Sequence, residues 1–120
     1  MQGERDARQK FATVYENSLL GLHQQLKNDL KRDNINFIIG RLSDFDMENK
    51  NWKHWTKIRI IQEKVANSNP NFAFINTDDL NTGLDNKGKY VEDDLHLSEE
   101  GYKILGKRFA EQAIALIQQN

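Results

Sequence analysis

The stretch INFIIGRL (Ile35–Leu42) is the part of the sequence that says most about the architecture. It is short, β-branched and apolar with no clean alternation, a pattern typical of a strand that is buried on both faces. A second apolar run, FAFI (Phe72–Ile75), follows the helix-stopping sequence Asn69-Pro70-Asn71. Both runs therefore predict short strands of the kind found in parallel sheets.

Apolar residues at helical spacing predict three helices around these strands. The first helix spans residues 9 to 32, the second runs from Trp52 to about Asn67, and the third follows Ser98, which can cap it. The order of helix, strand, helix, strand, loop and helix predicts an α/β protein with right-handed crossovers and a parallel sheet.

Two strands are too few for this arrangement to be complete. A stable sheet generally has three or more strands, and parallel strands need cover on both faces. Residues 1–6 and 76–92 are polar and predict loops, so neither supplies a further strand. We therefore expect the chain to be part of a larger α/β unit, unless another chain completes the sheet.

The composition excludes several classes of function. The chain has 120 residues, enough for one domain, with 17 basic and 18 acidic side chains and a net charge of -1. This balance favours neither nucleic acid nor a membrane surface as a partner, and no apolar run reaches the roughly 20 residues that span a bilayer. Cysteine is absent, which excludes disulfides, thiolate metal sites and a cysteine nucleophile.

The segment DDLHLS (Asp93–Ser98) contains the residues best suited to catalysis. It follows the long loop and opens a helix, and such loops at the carboxyl ends of strands build active sites in α/β proteins. Asp93 can accept a hydrogen bond from the imidazole of His96, which leaves the other ring nitrogen free to take a proton from a serine hydroxyl. On its own, the pattern also fits a surface loop or a helix-capping turn.

The chain resembles the SGNH hydrolases along its whole length. DDLHLSEEGY (Asp93–Tyr102), followed by Gly106-Lys107-Arg108, is similar to their last conserved block, in which an Asp-x-x-His loop leads into a final helix. QGERDA (Gln2–Ala7) resembles the Gln-Gly-Glu-Ser-Asp-Ala run of the sialate O-acetylesterase-like and acetylxylan-esterase-like members. FIIGRL (Phe37–Leu42) and the Trp-x-x-Ile-Arg-x-x-Gln pattern of Trp55–Gln62 resemble the next strand and helix of that branch.

The resemblance implies a three-layer α/β/α fold with a parallel, flavodoxin-like sheet, of which residues 1–120 form the C-terminal part of a single esterase domain. It implies a serine-type hydrolase that removes acetyl groups from carbohydrate. His96 would act as general base and then general acid, and Asp93 would orient it. Gln2 and the backbone of Gly3 would bind the oxyanion or substrate. We expect neither a metal nor a cofactor.

The sequence departs from this family in two places. The family's nucleophile block and its second block, with the oxyanion glycine, are both missing, so we expect the attacking serine to come from outside these residues. The four serines present have the wrong surroundings, and only Ser43 follows a strand. Arg5 stands where the family usually has a small residue.

Two other functions remain open from the sequence. One is a non-catalytic module that binds carbohydrate or a protein partner at the same edge of the sheet. The other is a different serine hydrolase of this fold, such as a lipase or thioesterase, although the polar character of residues 76 to 94 fits a sugar better. Relatives of this kind are often exported, so the resemblance allows a secreted or periplasmic protein, and the sequence leaves its compartment undecided.

Overall fold

Four helices and four strands form the part of the chain that the computed structural model describes, residues 2–119. The helices are α1 (Glu4–Arg8), α2 (Ala12–Leu30), α3 (Trp55–Ala66) and α4 (Glu99–Gln119), and the strands are β1 (Phe37–Gly40), β2 (Phe72–Ile75), β3 (Gly83–Leu84) and β4 (Tyr90–Val91). Within this part, no helix combines the length and the apolar character needed to cross a bilayer.

The two predicted strands form a parallel pair. Phe37 of β1 lies opposite Phe72 of β2, and Gly40 lies opposite Ile75. Among the described residues, β1 pairs with no other strand, so its second edge is free. The prediction of an α/β protein with a parallel sheet is therefore confirmed, and this sheet is small.

The two faces of the sheet are covered by different helices. Ile39 of β1 lies in an apolar cluster with Val65 of α3, whereas its neighbour Ile38 packs against a cluster that contains Leu105 of α4. Successive residues of a strand point to opposite faces, so α3 and α4 lie on opposite sides of the sheet. The complete three-layer arrangement of an SGNH domain remains a prediction.

The N-terminal segment is a helix where the sequence predicted a polar loop. Helix α1 is only five residues long, too short for an apolar repeat to be visible in the sequence. Its one fully buried residue, Ala7, packs in a cluster with Tyr15 of α2 and Trp55 of α3. This tertiary contact is what holds the short helix in place.

His54 connects the start of α3 to the start of α2. Its Nδ1 accepts a hydrogen bond from the Ala12 amide at 3.2 Å, which requires the neutral ring. Burial, together with the charges of Lys57 and Lys10, lowers the pKa of His54 below its usual value. His54 is therefore a packing residue that favours the neutral state.

Candidate functional site

One face of α3 holds the loop that follows β1. Trp55 Nε1 donates to the Ser43 carbonyl oxygen at 2.8 Å, and Arg59 Nη1 donates to the Leu42 carbonyl oxygen at 2.6 Å. The Leu42 amide in turn donates to Gln62 Oε1 at 2.9 Å. These three α3 side chains are buried, and they belong to the Trp-x-x-Ile-Arg-x-x-Gln pattern. That pattern fastens the helix to the carboxyl end of β1.

Ion pairs join this loop to the one that follows β2. Arg59 binds both carboxylate oxygens of Asp78, at 2.6 and 3.0 Å, and Arg41 Nη2 contacts the same carboxylate at 3.2 Å. Arg41 follows β1 directly and also pairs with Glu63 of α3 at 2.8 Å. These ion pairs therefore hold together the two loops at the carboxyl edge of the sheet. Active sites of α/β proteins are built at that edge.

The backbone carbonyl group of Gln2 is hydrogen-bonded near this same edge of the sheet. Its carbonyl oxygen accepts hydrogen bonds from Gln62 Nε2 at 2.7 Å and from the Tyr15 hydroxyl at 3.2 Å, and burial raises the pKa of that tyrosine. Because Gln62 also binds Leu42, one side chain links Gln2 to the end of β1. The exposed Gln2 amide donates to Asp6 Oδ2 at 3.1 Å. It also lines a groove along the free edge of β1.

Gly3 is buried and has a φ of 128°, a conformation that favours glycine. A Cβ atom at this position would lie 2.9 Å from Ile58 Cγ2. Close packing against α3 is thus sufficient to explain this glycine, and its role in binding an oxyanion stays a prediction.

The Asp93–Ser98 loop is built on the segment Leu80–Thr82. Three backbone amides donate into that segment: Asp93 to Thr82 Oγ1 at 3.0 Å, Asp94 to the Asn81 oxygen at 3.1 Å, and Ser98 to the Leu80 oxygen at 2.9 Å. Ser98 Oγ accepts the Gly101 amide at 2.9 Å and so caps α4, as predicted. Both ends of the loop are therefore fixed.

His96 is exposed at the mouth of a cavity of about 550 Å³. The β3–β4 hairpin forms one wall with Lys87 and Lys89, and Tyr102 of α4 lies on the other side. The His96 amide donates to Asp94 Oδ1 at 2.9 Å. Among residues 2–119, nothing hydrogen-bonds to the ring of His96, so both ring nitrogens are accessible to a ligand.

Asp93 does not hydrogen-bond to His96 within the described part of the chain. Its backbone is left-handed, with a φ of 45°, and its carboxylate faces Thr82 Oγ1 at 3.4 Å. The carboxylate lines a shallow depression shared with Asp44 and Glu48, away from the cavity of His96. Lys10, Lys31 and Asn49 also have a positive φ, so this conformation does not by itself distinguish Asp93. The catalytic roles of Asp93 and His96 stay predictions.

The acidic residues after β1 shape their own loop. Asp46 is buried and accepts the amides of Lys50, Asn51 and Trp52 at 3.0, 2.9 and 2.7 Å. Burial alone would raise the pKa of Asp46, but these three donors bring it below its usual value. Nowhere in residues 2–119 do three or more acidic or histidine side chains gather in a way that would hold a metal ion.

The four serines occupy positions unsuited to nucleophilic attack. Ser18 and Ser68 donate to backbone carbonyls of α2 and α3, at 2.8 and 2.7 Å, and Ser98 caps α4. Ser43 follows β1 but is only 1% exposed, and its hydroxyl has no partner among the described residues.

Two features of this region were not predicted from the sequence. The β3–β4 hairpin lies within the predicted loop, although Asp85 and Gly88 are typical first and last residues of a tight turn. The amides of Lys89 and Lys87 bind Asp85 and lower its pKa. The other feature is Asn81, which is fully buried beneath the Asp93–Ser98 loop and carries no local sequence signal.

One of the comparisons with known proteins identifies a family. A family model described as "carbohydrate esterase, sialic acid-specific acetylesterase" matches residues 1–115. No curated protein and no solved structure matches the chain. The family match covers both the Gln2–Ala7 run and the Asp93–Ser98 loop, so it agrees with the resemblance that the sequence showed at both ends.

Proposed function

This chain belongs to the carbohydrate esterase family of sialic acid-specific acetylesterases, and from that membership we propose that it carries the Asp–His half of a serine-type hydrolase that removes acetyl groups from carbohydrate. The observation that carries the proposal is the position of His96. Its ring is exposed and unengaged beside a sugar-sized cavity at the start of α4.

The proposed reaction uses His96 as the proton carrier. A serine hydroxyl gives its proton to His96 while its oxygen bonds to the acetyl carbonyl carbon. The bond between the former carbonyl carbon and the sugar oxygen then breaks, and the sugar oxygen takes the proton from His96. Water then attacks the acetyl-serine in the same two steps, which releases acetate and restores the serine hydroxyl. Gln2 and Gly3 would provide donors for the oxyanion.

Asp93 would orient the ring by turning its carboxylate from Thr82 towards His96. Its present contact with Thr82 Oγ1 is long, at 3.4 Å, so little is lost when it breaks. Catalytic hydrogen bonds are often formed only once the substrate is bound.

The nucleophile, in this proposal, comes from outside residues 1–120. The surroundings of the four serines support this, since three have engaged hydroxyls and Ser43 is buried. The free edge of β1 gives a place for the missing strands. A groove of about 330 Å³ runs along it, lined by Phe37, Leu22 and Phe109. The N-terminal half of the domain, or another chain, would complete the sheet there and bring the serine to the carboxyl edge.

The cavity beside His96 favours a sugar over a lipid. Its lining mixes lysines and carboxylates with Tyr102, whereas an acyl chain would need a continuous apolar wall. A lipase or thioesterase is therefore the weaker assignment.

Hydrolysis of an O-acetylated sialic acid tests the proposal. We expect no turnover by the 120-residue chain and turnover by a longer protein that adds the nucleophile segment. His96→Ala in that protein should lower kcat by roughly a thousandfold or more. Turnover by the short chain would show that the nucleophile lies within it. Tight sugar binding without hydrolysis by the longer protein would favour the non-catalytic binding module instead.

A further inference from the structure

Asn81 occupies the junction of the three segments that meet at the candidate site. It lies six residues after β2 and is 0% exposed. Its Nδ2 donates to Asp44 Oδ1 at 2.9 Å, in the loop after β1, and to the Asp94 carbonyl oxygen at 3.1 Å. Its backbone carbonyl oxygen accepts the Asp94 amide at 3.1 Å, whereas its side-chain Oδ1 is buried and has no hydrogen-bond partner among the described residues. The residue is thus bonded to Asp94 on both the amide and the carbonyl side.

We propose that Asn81 is a positioning residue for His96, which acts by locking the Asp93–Ser98 loop to the loop after β1. The Asp94 peptide groups are held from one side by Asn81, and the Asp94 carboxylate accepts the His96 amide at 2.9 Å. A shift of Asp94 therefore moves His96 directly.

The side-chain nitrogen of Asn81 supplies the two donors that this position requires. Two acceptors, the Asp44 carboxylate and the Asp94 carbonyl, converge on one nitrogen, so the side chain must supply two N–H groups. Aspartate would place a second carboxylate against Asp44 in a fully buried site, and leucine would leave both acceptors without a donor.

The inference rests on the proposed function for its catalytic meaning, but the locking of the loop can be measured without any activity. Amide hydrogen exchange on the chain compares Asn81→Ala with Asn28→Ala, which removes an exposed amide from α2. We expect exchange at Asp94 and His96 to accelerate roughly tenfold or more in Asn81→Ala, with the amides of α2 unchanged. Asn28→Ala should leave the loop as it is.

Two outcomes would overturn the lock: unchanged exchange at Asp94, or a uniform rise through α2 and α3, which would show a merely structural residue. If Asn81→Ala does not fold, Asp44→Ala removes only one of the two contacts and should still accelerate exchange at Asp94. No acceleration in a folded Asp44→Ala variant would also overturn it.

A kinetic measurement then tests the catalytic part. In a longer protein that hydrolyses the acetylated sugar, Asn81→Ala should lower kcat roughly tenfold or more, with KM changed less than about twofold. A change in KM alone would overturn the positioning role. If the longer protein is inactive while the exchange result holds, the proposed function fails and the loop lock stands.

Discussion

Replacing Gly101 with alanine tests the contact between α4 and the segment that follows β2. A Cβ atom at Gly101 would lie 2.0 Å from the Leu80 carbonyl oxygen and 2.9 Å from its carbonyl carbon. Ordinary contact begins at 3.4 Å, so the first turn of α4 would have to move by about 1.4 Å. Backbone atoms on both sides make this movement expensive.

The movement would also break the anchor of the Asp93–Ser98 loop. The Leu80 oxygen accepts the Ser98 amide at 2.9 Å and the Ser98 hydroxyl at 3.3 Å, and both bonds would lengthen beyond range. Overpacking of this kind costs about 1–3 kcal/mol, and the two hydrogen bonds, at about 0.5 kcal/mol each, add about 1 kcal/mol. The higher helix propensity of alanine returns about 1 kcal/mol. We expect a net loss of about 2 kcal/mol in the free energy of unfolding.

Gly106 provides the matched control, because it lies on the same helix with nothing within 4 Å of an added Cβ. Gly106→Ala should gain about 1 kcal/mol from helix propensity alone. The two variants should therefore differ by about 3 kcal/mol in urea unfolding followed by circular dichroism. Equal stability, or a Gly101→Ala variant more stable than Gly106→Ala, would refute the packing described for α4.

Two further predictions concern α3. Arg59→Met should cost about 2 kcal/mol or more in urea unfolding, because it leaves the Leu42 carbonyl without its donor and Asp78 with Arg41 as its remaining cation. Lys57→Met on the exposed face should change stability by less than about 0.5 kcal/mol. The folded state holds the pKa of His54 below the usual 6.5 of histidine, so the free energy of unfolding should be highest above that pH and fall as the pH drops through 6.5 towards the folded pKa. In His54→Gln, the free energy of unfolding should depend less on pH between about pH 7.5 and about pH 5.5. An equally steep fall in the variant would contradict the lowered pKa of His54.

The fold could be predicted where a segment is long enough to show a period. The positions of α2, α3, α4 and β2 were predicted correctly from the spacing of their apolar residues. Three residues of the predicted α2 stripe, Phe11, Leu22 and Leu30, are nevertheless exposed. Helix α1 and the two-residue strands of the hairpin are too short to carry a period. Their conformations depend on contacts with distant segments, such as Ala7 against Trp55.

The candidate site could likewise be predicted only in part from the sequence. The spacing of Asp93 and His96 predicted residues that share one loop, and the family match covers both. Spacing alone could not reveal the left-handed backbone of Asp93, which turns its carboxylate towards Thr82. The role of Asn81 was also hidden, since it arises only when the loops after β1 and β2 are brought together.

In the proposed mechanism, His96 activates a serine that lies outside residues 1–120. Mass spectrometry after treatment with a fluorophosphonate measures this directly, because the reagent adds covalently to an activated serine. We predict no adduct on the 120-residue chain, one adduct on the longer protein, and its loss in His96→Ala but not in His54→Gln. An adduct on any serine of residues 1–120, or undiminished labelling of His96→Ala, would contradict the claim.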